Sequence, residues 1–186
     1  MNSPDHTILW RRLDLPGHDI CYLWETINGW QLSGTALFLF NQMPCGLSYK
    51  VETDVNWKTF AAHVSGYVGK SAVMLTIALT QNQCWSLNGL ETQQAAGCTD
   101  LDLGFTPATN LIAIRRLSLR IGERSQAPAA WLDFPNFTLK KLEQQYHRLS
   151  DYQYEYAAPD VGYADILEVD RDGAITRYPT LWKVER

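Results

Sequence analysis

The strictest constraint on this chain is a run of period-two alternation. Trp30, Leu32, Gly34, Ala36, Phe38 and Phe40 share one side of residues 30–40, and Leu47, Tyr49, Val51, Thr53 and Val55 alternate with Ser48, Lys50, Glu52 and Asp54. Side chains on a strand point alternately to opposite faces, so each run presents one face to a core and the other to water, as in an antiparallel sheet. Residues 8–13 and 19–26 read as further strands, with Ile20, Tyr22 and Trp24 on one face of the second. Asn28–Gly29 and Asn88–Gly89 are hairpin signals, because both central positions of the favoured two-residue turn want positive φ. Pro16–Gly17, residues 44–46 and Gly69 mark other turns between strands at 58–68, 70–80 and 84–87. Strands at such regular spacing predict a meander that curls toward a barrel, and Gly34 inside one of them supplies a bend.

A chain of 186 residues predicts a single domain over residues 1–186, able to bury about 70% of its unfolded surface. Aromatic residues make up 12%, with seven Trp and nine Tyr, which suits an aromatic-lined β fold. The net charge of −4 argues against a nucleic-acid partner, which needs a basic face, and gives no support to adhesion on anionic membranes. The first residues lack a basic segment followed by a long apolar one, and residues 36–40 are too short to span a bilayer. A cytoplasmic location is therefore expected, with Cys21, Cys45, Cys84 and Cys98 reduced and the oligomeric state left open.

Residues 99–117, TDLDLGFTPATNLIAIRRL, break the pattern. Asp100 and Asp102 alternate with Leu101 and Leu103, so a strand puts both carboxylates on one face, about 6.5–7 Å apart. Thr106–Pro107 is a helix opening, with Thr as cap and Pro at the first helical position. Leu111, Ile112 and Ile114 can bury one side of a short helix, and Leu117, Leu119 and Ile121 restart a strand-like alternation. Arg115 and Arg116 can hold a carboxylate or phosphate through paired hydrogen bonds, so the Asp and Arg pairs read either as a head-group site or as an internal ion pair pinning the crossing. Adjacent arginines point in different directions, so at most one faces the aspartates.

Further along, residues 127–134 read as a strand ending at Pro135, and 137–149 as one long strand leading into the Tyr152, Tyr154, Tyr156 ladder. Residues 162–169 and 174–178 close the fold around a hairpin turn at 170–173, which lacks the twelve-residue pattern of a calcium loop. No nucleophile elbow, phosphate loop or dinucleotide fingerprint is present. His6, His18, His63 and His147 are scattered without metal-ligand spacing, so neither a metal nor a cofactor is expected. Asp100 and Asp102 match the separation used by inverting glycosidases, but two acids on one strand face do not readily flank a bond from opposite sides.

The runs DLDLGFTPATNLIAIRRL, AAWLDFP and VDRDGAITRYPTLW, with the opening WRRLDLPGHDICYLWETINGWQLSGTA, resemble the bacterial putative glycolipid-binding family over nearly the whole chain. The resemblance implies a mostly β fold: a curved antiparallel sheet forming a half-closed barrel with a short helical crossing or lid, similar to the bacterial lipoprotein-localisation carriers. It also implies an amphipathic ligand, a glycolipid or other acylated molecule, and no catalytic residues. A many-stranded open sheet needs a helix or a ligand against its concave face. The expectation is therefore that acyl tails lie on that face beside Trp24, Trp131, Tyr146 and Tyr154, while the head group meets Asp102, Asn110, Arg115 or Arg116. The alternatives are a small hydrolase or isomerase acting on a sugar-like substrate through Asp100 or Asp102, and a protein-interaction module using a sheet edge.

Overall fold

The computed structural model describes residues 4–185. The first half is an antiparallel meander: β1 (His6–Arg12), β2 (Gly17–Thr26), β3 (Gly29–Phe40), β4 (Met43–Asp54), β5 (Thr59–Val68), β6 (Ser71–Leu79), β7 (Trp85–Leu87) and β8 (Leu90–Glu91). The chain then crosses through β9 (Asp100–Leu103) and the helix α1 (Asn110–Leu117). Short strands follow: β10 (Arg124–Gln126), β11 (Ala129–Leu132), β12 (Leu139–Leu142), β13 (Gln145–Arg148), β14 (Gln153–Ala158), β15 (Tyr163–Val169), β16 (Ile175–Tyr178) and β17 (Trp182–Val184). Fourteen strands form one sheet in the order β10-β13-β14-β15-β16-β17-β1-β2-β3-β4-β5-β6-β7-β8. Its two halves join where β17 pairs with β1, Trp10 opposite Val184 and Arg12 opposite Trp182. The sheet does not close into a barrel.

The alternation read from the sequence sets the inner face. Leu32, Ala36, Leu47, Val51, Val64 and Ile77 are buried there, while Leu37, Tyr67 and Met74 point outward. What covers the concave side is more than one helix. A second sheet, β12-β11-β9, has β9 parallel to β11, and it supplies Leu101, Leu103, Leu132 and Leu139 to the same core as the meander. Helix α1 lies between two cores: Leu111 and Ile112 join the meander's, whereas Ala113 and Ile114 join a second one with Tyr146, Tyr156 and Leu167. Each such side chain taken fully out of water contributes about 1.5–3 kcal/mol.

Five local expectations are corrected. The β3–β4 turn is at Asn41 and Gln42, both at positive φ (49° and 62°), so residues 44–46 belong to β4. The β2–β3 turn centres on Ile27 and Asn28, because Thr26 already pairs with Gly29. Gly29 instead occupies φ 142° where a Cβ would strike the backbone of Asp54, so glycine is required by close approach. Thr106 does not cap α1; the helix begins at Asn110 after tight turns from Pro107, and it stops at Ser118 in the left-handed region, so residues 117–121 form no strand. Residues 137–149 are not one long strand but two strands in different sheets, divided at Glu143 and Gln144.

Candidate functional site

The residues singled out in the crossing segment divide into an interior set and a surface set. Arg116 donates to Asp100 through Nε and Nη2, both at 2.6 Å, and Asp100 is 1% exposed. Burial pushes the Asp100 carboxyl up, and the guanidinium pulls it back, while the carboxylate's hydrogen bond raises Arg116. Gln144 Nε2 donates to Asp102 at 2.6 Å, and Asn110 Nδ2 donates to Tyr146 Oη at 2.8 Å. No cation contacts Asp102 among the described residues, and burial raises it to about 6. These pairs tie β9, α1 and β13 together across the second core. Tyr146 is buried with Tyr156 at a ring separation of 4.9 Å. Trp131 lies beside Lys140 and packs over Gly104, and Trp24 faces the outer side of the sheet, donating to Ser33.

Arg115, the next helical residue, points elsewhere. Its Nη2 is 3.4 Å from Asp172, and its guanidinium lies 5.6 Å from the Trp57 ring. Asp172 belongs to the β15–β16 turn, where Asp170 Oδ1 accepts the N–H groups of Asp172 and Ala174 at 2.9 and 3.0 Å. Gly173, at φ 85°, allows that turn to lie on Leu111 and Ile114. His6, at the start of β1, stands between the two carboxylates, 3.1 Å from Asp170 and 3.6 Å from Asp172.

An open polar cleft of about 790 Å³ lies here, lined by His6, Tyr152, Gln153, Glu168, Asp170 and Asp172. It shares the 169–172 segment with a recess of about 220 Å³ that adds Trp57, Arg115, Arg148, Asp151 and Tyr154. Behind both, His6 also lines an apolar crevice between β1–β3 and α1, with Ile8, Trp10, Leu23, Leu32, Ala108 and Leu111. This crevice holds about 10 Å³, barely the space of one water, so the concave face expected to stand open is filled by the chain's own side chains. His6, Asp170 and Asp172 also form the one His and carboxylate group at metal-ligand spacing among the described residues. Arg115 and Arg171, within 3.5 Å of Asp172, already supply positive charge there. Of the residues singled out from the sequence, Arg115 and Tyr154 line the recess beside the cleft; Trp57 was legible only as one of the seven tryptophans that suit an aromatic-lined fold, and His6 and the 170–172 turn only as a scattered histidine and a hairpin turn.

Residues 7–184 match the family described as "Putative glycolipid-binding". The chain belongs to that family. The crystal structure of a DUF1089 family protein from Pseudomonas aeruginosa is similar to it with a TM-score of 0.77 and 22% identity, covering 98% of this chain and 94% of that one. At such identity the likeness shows the shared fold. No curated protein matches the chain. In this family member no helix among the described residues is long and apolar enough to cross a membrane.

Proposed function

We propose that this chain binds an amphipathic, glycolipid-type molecule, with the sugar-bearing head in the cleft at the β15–β16 turn and one apolar chain in the crevice behind it. The observation that carries this reading is the junction at His6, where a polar, aromatic-flanked cleft adjoins an aliphatic crevice. Aromatic side chains of Trp57, Tyr152 and Tyr154 line the cleft and its recess beside the carboxylates of Asp151, Asp170 and Asp172, a mixed lining that suits the apolar patches and hydroxyl groups of a sugar. Arg115 and Tyr154 are direct contacts in this scheme. Asp102, Asn110, Arg116 and Tyr146 act one step behind, holding α1 in register. Trp24 and Trp131 make no contact with the ligand. Because the crevice is closed, the ligand binds a form in which α1 or the turn has shifted outward.

Alkyl glucosides of increasing chain length, kept below their micelle concentration, test the scheme by calorimetry. Each added methylene within the crevice contributes about 0.8 kcal/mol, so affinity should rise about fourfold per carbon. Trp57→Ala should weaken every member of the series by about the same factor. Affinity independent of chain length, or no binding at all, overturns the reading.

A further inference from the structure

The roof of the crevice is fastened at its leading end. Ala108 and Leu111 form part of that roof, and Thr106, just before them, reaches the large sheet through a buried group of three oxygen-bearing side chains. Asp19 on β2 is fully buried, and its carboxylate accepts from Tyr49 Oη at 3.1 and 3.3 Å and from Thr106 Oγ1. Thr106 Oγ1 in turn lies 3.2 Å from Tyr49 Oη and accepts the Ala108 N–H at 3.1 Å. The facing position on β3 is Gly34, where any Cβ would collide with the Tyr49 hydroxyl, while Ala36 is the cross-strand partner of Asp19.

The charges around Asp19 are few. From β1, Arg12 acts on it only through space, since its guanidinium bonds Asp14 at 2.8 and 3.0 Å and lies between the rings of Phe38 and Trp182. The other titratable neighbours are Cys21 on β2 and Tyr49 on β4, and burial raises both, keeping thiol and phenol protonated. An ionised Asp19 thus receives two O–H donors but has no cation in contact among the described residues. A protonated Asp19 completes a ring: it donates to Thr106, Thr106 donates to Tyr49, and Tyr49 donates back to Asp19. The neutral state leaves no hydroxyl unused in the closed interior, whereas the charged state carries a desolvation cost that opening to water removes.

We propose that Asp19, Tyr49 and Thr106 form a proton-operated latch that holds the leading segment of α1 against the sheet and frees it when Asp19 loses its proton. Only the latch's role in ligand entry rests on the crevice being the ligand's apolar site. Burial raises Asp19 to about 7, whereas a solvated carboxylate titrates near 4. Opening therefore releases a proton between those values. The open fraction rises with pH through that window and levels off above it. Between pH 5 and 7 the linkage amounts to roughly 50-fold.

Hydrogen exchange at the amides of residues 108–112, corrected for the intrinsic pH dependence of exchange, reads the latch without any ligand. Wild type should lose roughly 50-fold protection there from pH 5 to 7 and stay level above pH 8. Asp19→Asn, which cannot titrate, should show no such slope. Equal slopes in the two proteins, or none in wild type, overturn the proposal. Should Asp19→Asn fail to fold, the carbon resonance of the Asp19 carboxyl in wild type decides, and a midpoint near 4 refutes the latch. Octyl glucoside then separates the two readings. Binding that strengthens over the same pH range in wild type only supports both, and binding with an identical pH profile in Asp19→Asn refutes the latch alone. Exchange that behaves as described in a protein binding no alkyl glucoside refutes the binding function and leaves the latch standing.

Discussion

Strands β2 to β6 run nine to twelve residues each, whereas β9 to β17 run three to seven. The long strands meet their neighbours through long ladders, interrupted only by a register shift at Glu52 and Thr53 between β4 and β5, and their inner positions are almost all apolar; Asp19 with Tyr49 is the main exception. The short strands cannot set their positions by ladder bonds alone. There the interior holds Asp100 with Arg116, Asp102 with Gln144, and Asn110 with Tyr146, each joining elements that share few backbone bonds. Side-chain clamps take over where the backbone ladder is short, and the cleft lies on the clamped side. A region held by a few discrete pairs can rearrange around a ligand more readily than one held by a continuous ladder.

The sharpest way to break this contrast is Arg116→Ala. It leaves Asp100 buried without its partner, which costs about 3–5 kcal/mol in urea unfolding. The loss should be local at first: amide protection in β9, α1 and β13 falls while β2–β6 stay protected. A uniform loss across both halves would mean that the molecule unfolds as one unit and the distinction has no energetic content. Asn110→Ala should have a smaller effect, about 1–3 kcal/mol, by stranding the buried Tyr146 hydroxyl. Met74→Lys, on the outer face of the meander and 82% exposed, should change stability by less than about 0.5 kcal/mol. A larger effect there would reveal an outer-face contact made in solution.

Much of the meander was legible because its information is local. Period-two alternation in β3 and β4 named their inner face except at Val55, which lies past the end of β4 and is exposed, and Asn88–Gly89 has the positive φ at both positions that the turn requires. The antiparallel half-barrel with one short helix followed from that pattern and from the family likeness. The β3–β4 turn was missed because Asn41 and Gln42 adopt positive φ without a glycine to announce it. The division of residues 137–149 between two sheets was hidden for a different reason: the break at Gln144 is made by its bond to Asp102, 42 positions away. Likewise, the Asp and Arg pairs of the crossing were visible as a charged constellation, but only geometry could send Arg116 inward to Asp100 and Arg115 outward to Asp172.

The sequence by itself determined the β class, the hairpin order, the inner face of β3 and β4 and the place where the pattern breaks. These depend on residue spacing within a few positions, where side-chain direction follows from backbone geometry. Tertiary structure alone decided that the concave side is packed by a second sheet and that His6 meets a turn 164 residues later. It also decided that Asp19 shares its proton environment with Thr106. Such contacts join residues distant in the chain, and their formation depends on the whole sheet's curvature, which no local window of sequence encodes.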